Sequence, residues 1–281
     1  MGIRMGRNNY GKSRVRLLRV VRGPHGNEIR EFTVAIRFEG DFDTVHTAGD
    51  NSKVLPTDTM KNTVYALAGQ EPAVSAEGFA SRLIRHFLET CSEVERVEVD
   101  VREDVWARVG ANGKAHTTAF VRAGEEKRNA FLSGTRQGIT IRAGVESLIA
   151  MKTAQSAFEG FRKDRYTTLK EDRDRVMATS IKADWLYANG DVDFNVVWEG
   201  VRDKLVEAFA NHESLSLQHT LYAMGEAVLQ KFPEIREIRL SLPNKHYNLV
   251  NLAPFGLNNP SEVFLPTDEP HGLIEGTVTR D

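Results

Sequence analysis

The sequence predicts an α+β fold made of two successive units, each running β-β-α-α-β-β with antiparallel strands. Three observations predict it. Apolar residues alternate in several runs, which is the period of a half-buried strand. Two pairs of segments carry apolar residues at i, i+4 spacing, the stripe of a helix lying on a sheet. The same order of elements then recurs in the second half, and strands in runs with helices grouped together favour antiparallel sheets covered on one face.

The elements follow in order. Ser13 to Val21 is β-rich, Gly23-Pro24-His25-Gly26-Asn27 supplies a turn, and Phe32, Val34, Ile36 and Phe38 alternate as the second strand. A helix capped by Thr57-Asp58 runs to about Leu67, and the next begins at Ser75, with Phe79, Leu83 and Phe87 beside Ala80, Ile84 and Leu88 on one stripe. Val97, Val99 and Val101 alternate again, with Thr117 to Arg122 as the expected partner strand. The second half repeats the order. Gly138 to Met151 and the alternating Ile181, Ala183, Trp185 and Tyr187 are strands. Phe194, Val197, Val201, Leu205 and Ala208 share one helical face, and Leu217, Leu221, Met224 and Val228 another. Ile238, Leu240 and Leu242 begin the returning strands, and Leu273 to Thr279 is the last. The units are expected at 1–135 and 136–281. Within them, 103–116 reads as a flexible hairpin tip, 123–136 as the junction and 244–270, with four prolines, as a long ordered loop. Lys61 to Ala68 is similar to Gln218 to Gly225, a hint of duplication.

Composition narrows the function. The 281 residues are 41% hydrophobic, ample for a large core, and the net charge is -2 with no long single-sign run, which argues against nucleic acid or an anionic membrane as partner. No apolar stretch approaches the roughly 18 residues of a membrane span. Met1 to Asn9 lacks the apolar core of a secretory signal, Thr279-Arg280-Asp281 is no peroxisomal address, and Cys91 is the only cysteine, so a cytoplasmic protein is expected. The eight histidines form no His-Glu-x-x-His frame and no Cys-x-x-Cys exists, although a metal site assembled from distant residues stays open. Phosphate-binding glycine motifs and the Gly-x-Ser-x-Gly elbow are absent. Open sheet edges call for a symmetric oligomer.

Three segments concentrate chemistry. Lys12, in Asn9-Tyr10-Gly11-Lys12, is either a surface charge or a base whose proton affinity is lowered by its surroundings. Pro56-Thr57-Asp58-Thr59 either caps a helix or offers its free N–H groups to an anion or a carbonyl-rich ring. Ser241-Leu242-Pro243-Asn244-Lys245-His246-Tyr247 either turns the chain at a strand end or gathers an amide, an imidazole and a phenol for orienting a small molecule and passing a proton.

Together these segments resemble the urate oxidases. The blocks that carry the resemblance are Asn9-Tyr10-Gly11-Lys12, Gly49-Asp50-Asn51-Ser52, Thr57 to Tyr65, Gly160-Phe161, Tyr166 to Glu171 with Asp174-Arg175, Leu217 to Gly225, Leu242 to His246 and Asn259 to Phe264. They span residues 9 to 264. The resemblance implies two tunnelling-fold units per chain, assembling as a homotetramer around a β-barrel tunnel with active sites between subunits. It implies conversion of urate, O2 and water to 5-hydroxyisourate and H2O2 with no metal or organic cofactor. It also implies roles. Arg175 and Gln218 grip the urate edge, Phe158 stacks on the ring, Leu169 walls it, and the Leu217 backbone adds a polar contact. Thr57 and the Asp58 N–H reach the other end of urate from the neighbouring subunit. Lys12, Thr57 and His246 form a proton relay, and Asn244, with Thr57, holds oxygen and then water over the ring. Pro56, where a small residue is usual, and Glu159, where an aromatic or histidine is usual, depart from the family pattern. The alternatives are another tunnelling-fold purine or pterin enzyme, such as a relative of GTP cyclohydrolase or dihydroneopterin aldolase, and an inactive purine-binding homologue.

Overall fold

The computed structural model describes residues 2–70 and 75–281. Its strands are β1 (Tyr10–Gly23), β2 (Gly26–Gly40), β3 (Val94–Ala111), β4 (Lys114–Thr135), β5 (Gly138–Lys152), β6 (Met177–Tyr187), β7 (Ile235–Leu249) and β8 (Phe264–Thr279). Its helices are α1 (Asp43–Ala48), α2 (Thr57–Gln70), α3 (Ala76–Thr90), α4 (Phe194–Asn211) and α5 (Leu217–Lys231). Each strand is hydrogen-bonded to its neighbours in sequence, so the order is simply β1 to β8. The chain divides into one unit of Met1–Gly144 with Leu186–Asn195 and another of Val145–Trp185 with Val196–Asp281. The division therefore falls within β5 and β6, whereas the sequence reading placed it after Thr135.

In the first unit the alternating strand behaves as its pattern demands. Phe32, Val34, Ile36 and Phe38 are fully buried. They meet the stripe of α3: Phe32 stacks on Phe79 with centroids 5.8 Å apart, and Phe38 meets Phe87 edge-on at 4.9 Å. Full burial of each such ring contributes about 1.5–3 kcal/mol. Ser75 caps α3 by accepting from the Gly78 N–H at 3.0 Å. In the second unit Leu217, Leu221, Met224 and Val228 of α5 are buried, and Gly225 and Gly276 let the helix approach the sheet, Gly225 against Val278 and Ile238, Gly276 against Leu221.

Several expectations are corrected. Thr57 and Asp58 do not cap α2. The Pro56 carbonyl accepts the first helical bond, from Met60 at 3.2 Å, so Pro56 holds the cap position and Thr57 and Asp58 are the first helical residues. Residues 103–111 and 123–135 are not tip and junction but parts of β3 and β4, which pair as one long hairpin turning at Asn112-Gly113. Both turn residues have positive φ, 52° and 74°, as an Asn-Gly hairpin turn requires. Val97 to Val101 accordingly pair with Gly134 to Ala130, not with Thr117 to Arg122. Much of the expected loop 244–270 is strand, leaving 250–263 between β7 and β8. There Asn259 donates to the carbonyls of Val250 and Val263 and accepts from Glu262 and Val263, which orders the loop. The short helix α1 carried no apolar stripe, and none of its residues is buried.

The duplication is real in topology, but the similar octapeptides are not its trace, because they lie on α2 and α5 while α3 is the counterpart of α5. The matching positions are Ser75 and Ser216, Leu88 and Leu229, Cys91 and Phe232, Val94 and Ile235, each pair at the same sequence spacing. Both serines cap. Arg136 donates to the carbonyls of Leu88, Cys91 and Val94, and Arg280 donates to those of Leu229, Phe232 and Ile235. An arginine thus serves the exposed carbonyls at the end of the second helix in each unit.

The first unit also buries charge. Arg128 donates to Glu77 at 2.6 Å and to the Asn195 amide oxygen at 2.7 Å, while Glu103 takes Arg30 at 2.6 Å. Burial pushes the Glu77 carboxyl above its ordinary value against the pull of Arg128. Replacing one member strands the other in a dry interior. Arg128→Met is expected to destabilise the protein by about 3–5 kcal/mol in thermal or urea unfolding, with Arg128→Met/Glu77→Gln recovering part of the loss. Equal losses in the single and double variants would show that the pair is not coupled.

Candidate active site

The site residues of the first unit gather where β1 meets α2. Tyr10 packs edge-on against Phe38 and Phe42 and accepts from the Leu55 N–H at 3.0 Å, which fixes the chain just ahead of α2. Burial raises the Tyr10 phenol above its ordinary value, so it stays a neutral anchor. A side chain at Gly11 would collide with the Ile36 carbonyl, so the glycine lets β1 lie close to β2 there. The register then jumps, from Lys12 opposite Ile36 to Val15 opposite Val34, with Arg14 at φ 58°. A bulge of this kind re-aims the side chains beside it. Lys12 is half-buried, as is Thr57. Asp58 accepts from Lys61 at 2.5 Å and from Asn62 at 2.9 Å. Those contacts, Lys61 first, hold its carboxyl below the ordinary value, and the charge of Lys12 adds to the effect. Lys12 and the start of α2 are therefore within electrostatic reach, and the first N–H groups of the helix have no intrahelical partner.

The second unit contributes a different set. Its centre is Ser214, which is fully buried. The Ser214 N–H donates to Gln155 at 3.0 Å, and its carbonyl accepts from Ala157 at 2.7 Å. Its hydroxyl donates to the Ser216 carbonyl at 3.0 Å and accepts from Thr220 at 2.7 Å. One residue thereby ties the irregular segment after β5 to the beginning of α5. That segment is closed by a bridge between Phe158 and Asp172, and the Arg175 N–H donates to Ser156 at 2.8 Å. The Arg175 guanidinium lies 5.2 Å from the centroid of the Phe158 ring. Its Nε is buried with no hydrogen-bond partner, and burial lowers its proton affinity from the ordinary value. A partly dried guanidinium with an unsatisfied donor is an anion receiver, since its planar fork fits a planar anion.

Ser216 caps α5 by accepting from His219 at 3.1 Å. Leu217, buried, and Gln218, exposed, are its first two residues. The sheet brings β7 to the same place. Gly225 lies against Ile238, and Leu221 against Gly276, which pairs with Leu240. One further helical turn puts Leu217 and Gln218 level with the stretch that follows Leu242, where Asn244 stands. Asn244 and His246 are not at a strand end. They lie inside β7 across a second bulge, where Asn244 pairs with Gly272 but His246 with Thr267. Both are half-buried. Leu169, in contrast, lies on the outside of the 158–172 loop and is 61% exposed.

Two of these features escaped sequence reasoning. Ser214 is an isolated serine whose role arises only from the fold. Tyr10 stood within a quoted block, and its apolar burial gave no signal in sequence. The equivalence of the units adds a contrast. Glu77 holds in α3 the place that Gln218 holds in α5, and Glu103 holds in β3 that of Asn244 in β7. In the first unit Arg128 fills the space between such groups. In the second unit Gln218 is exposed and the Arg175 Nε is unpaired. The same scaffold position is closed in one unit and open in the other. Among the described residues no three of His, Cys, Asp or Glu come together as a metal set, and no helix is long and apolar enough to cross a membrane.

The family model described as Uricase matches residues 8–133 and 141–275. The uricase of Arthrobacter globiformis is 46% identical over 279 residues, covering 99% of this chain and 90% of that protein. The uricase of Dictyostelium discoideum is 41% identical over 276 residues, covering 97% and 96%. The crystal structure of the Arthrobacter globiformis enzyme superposes with a TM-score of 0.94 at 45% identity, covering 100% of this chain and 96% of that one.

The Ser214 node gives a test. Ser214→Ala keeps the backbone bonds but removes the hydroxyl that accepts from Thr220 and donates to the Ser216 carbonyl, leaving Thr220 only its 3.2 Å bond to that carbonyl, and is expected to cost about 0.5–1.5 kcal/mol of stability. It should also weaken binding of a planar anionic ring, read by calorimetry. Unchanged unfolding and binding would show that the hydroxyl does not hold the frame.

Proposed function

This chain belongs to the uricase family, and we propose that it oxidises urate with O2 and water to 5-hydroxyisourate and H2O2, using no metal or organic cofactor. The reaction balances without further reactants. Urate gives up two electrons and O2 takes them with two protons to become H2O2, while water supplies the hydroxyl that urate gains. The observation that carries this reading is the Arg175 guanidinium, partly buried and with Nε unpaired, set beside the Phe158 ring.

The residue roles follow from that pairing. Arg175 and Gln218 grip one edge of the urate anion by parallel hydrogen bonds, and the ring stacks on Phe158. The Leu217 N–H, free at the first turn of α5, adds a donor. Arg175 stabilises negative charge that builds on urate as its proton leaves, which makes the ring a better electron donor. Asn244 and His246, aimed by the bulge in β7, stand over the ring. Asn244 holds O2 and then water, and His246 passes a proton. Thr57, the Asp58 N–H and Lys12 come from a second copy of the chain, Thr57 and Lys12 completing the relay with His246 and the helix start receiving the far end of urate. Leu169, exposed in the single chain, becomes the wall of this site only on assembly.

Assembly as a homotetramer around a barrel is supported by unsatisfied surface. β1 and β8 each have one strand neighbour. The second unit exposes Leu249, Phe255, Leu257, Leu265 and Leu273 between residues 249 and 273. Exposed edges and exposed apolar side chains of this kind are features that a symmetric partner covers.

Chelator-treated protein is expected to bleach urate with one O2 consumed and one H2O2 released per urate. Urate binding without turnover would instead favour an inactive purine-binding homologue. In steady-state kinetics Arg175→Ala should raise KM by about 10- to 150-fold, the loss of hydrogen bonds to a charged partner. Lys12→Met should leave KM nearly unchanged and lower kcat by about 10²- to 10⁴-fold. The opposite pattern would overturn the assigned roles.

A further inference from the structure

Phe158 does not stand alone. The Phe161 ring lies parallel to it, with centroids 4.9 Å apart and planes 13° from parallel. The chain between them explains how. Gly160 has φ 67°, a conformation that L side chains rarely adopt, and the left-handed kink lets Phe161 fold back onto Phe158. Glu159 is held by Arg173 at 2.9 Å. Lys163 lies 5.4 Å from the Phe161 centroid and is itself held by Glu171 at 3.0 Å. The Phe158–Asp172 bridge closes the loop.

We infer that Phe161 is a positioning residue for urate, acting through Phe158. By covering one face of that ring, it leaves the opposite face as the flat surface for substrate and fixes its tilt. The tilt matters because Arg175 and Gln218 bind in the plane of the substrate, so a tilted ring loses one of their parallel bonds. The segment that carries Phe158 has no regular secondary structure, and neither sheet nor helix sets the orientation of its ring. The stack with Phe161 does so instead. Glu159, which departs from the family pattern, makes its ion pair with Arg173. The inference rests on the reading of Phe158 as the ring that faces urate.

The test uses the full-length protein with urate under anaerobic conditions, where binding proceeds without turnover. Phe161→Leu keeps apolar volume but removes the stack. It is expected to weaken urate binding about three- to tenfold, the worth of an aromatic pair, and to lower kcat as well, with thermal unfolding shifted by at most a few degrees. Phe161→Tyr retains the stack and should restore both. Gly160→Ala disturbs the kink and should reproduce Phe161→Leu. Phe158→Leu is the control. If Phe158→Leu weakens binding while Phe161→Leu binds urate as the parent does, the inference fails and the site reading stands. If Phe158→Leu also binds normally, the stacking reading itself falls, and this inference with it. Equal losses in Phe161→Tyr and Phe161→Leu would likewise overturn it, since the ring stack would then not be the cause.

Discussion

The arrangement depends on the bonds made by Ser214. It is a small residue in the turn between two helices, yet it satisfies both of its backbone groups against the 155–157 segment and both roles of its hydroxyl at the start of α5. A fully buried hydroxyl with donor and acceptor roles filled has one low-energy orientation. The irregular segment with Phe158 and Arg175 is thereby referenced to the helix that presents Gln218. Precise placement of loop residues requires such support, because the loop has no ladder of its own.

The two units show what the scaffold offers before function is added. In each, a serine caps the second helix, an arginine serves the carbonyls at its far end, and a buried strand carries alternating apolar residues beneath it. The second residue after the cap and the position beyond the strand's apolar run carry polar groups in both units. In the first unit these are Glu77 and Glu103, with Arg128 between them, and the space is filled by the protein's own charge. In the second they are Gln218 and Asn244, and the cation, Arg175, comes from a loop and keeps a donor unpaired. One copy of the motif spends its polar groups on an internal ion pair, and the other leaves Gln218 exposed and the Arg175 Nε unpaired. In the first unit the candidate site residues stand elsewhere, at the bulge of β1 and the start of α2.

Much of this was legible in sequence. The alternation of Phe32 to Phe38 and the stripes of α3 and α5 report directly on burial, so those elements stood out. Polar strands did not. The outer parts of β3 and β4, and the parts of β7 and β8 on either side of the loop, carry charge, glycine and proline, and were read as loops, because their backbone pairing is imposed by a neighbouring strand and not by apolar period. The start of α2 was placed well, but its cap was misassigned, since Thr57 and Asp58 look like caps while Pro56 supplies the carbonyl. The site residues were named through resemblance; Tyr10 and Phe161 stood in the same blocks with no role assigned, and Ser214 stood in none. Tyr10 and Ser214 act through contacts between segments distant in sequence, and Phe161 through a fold-back at Gly160, none of which a local pattern records.

The most direct test of the central claim, that Arg175 and Gln218 grip one edge of the same ring on a common frame, is a double-mutant cycle on anaerobic urate affinity with Arg175→Met and Gln218→Leu. Two groups sharing one ligand edge should be coupled, with the second substitution costing less once the first is made, by about 0.5–3 kcal/mol. Losses that simply add, or a substitution at either position that leaves affinity unchanged, would contradict it.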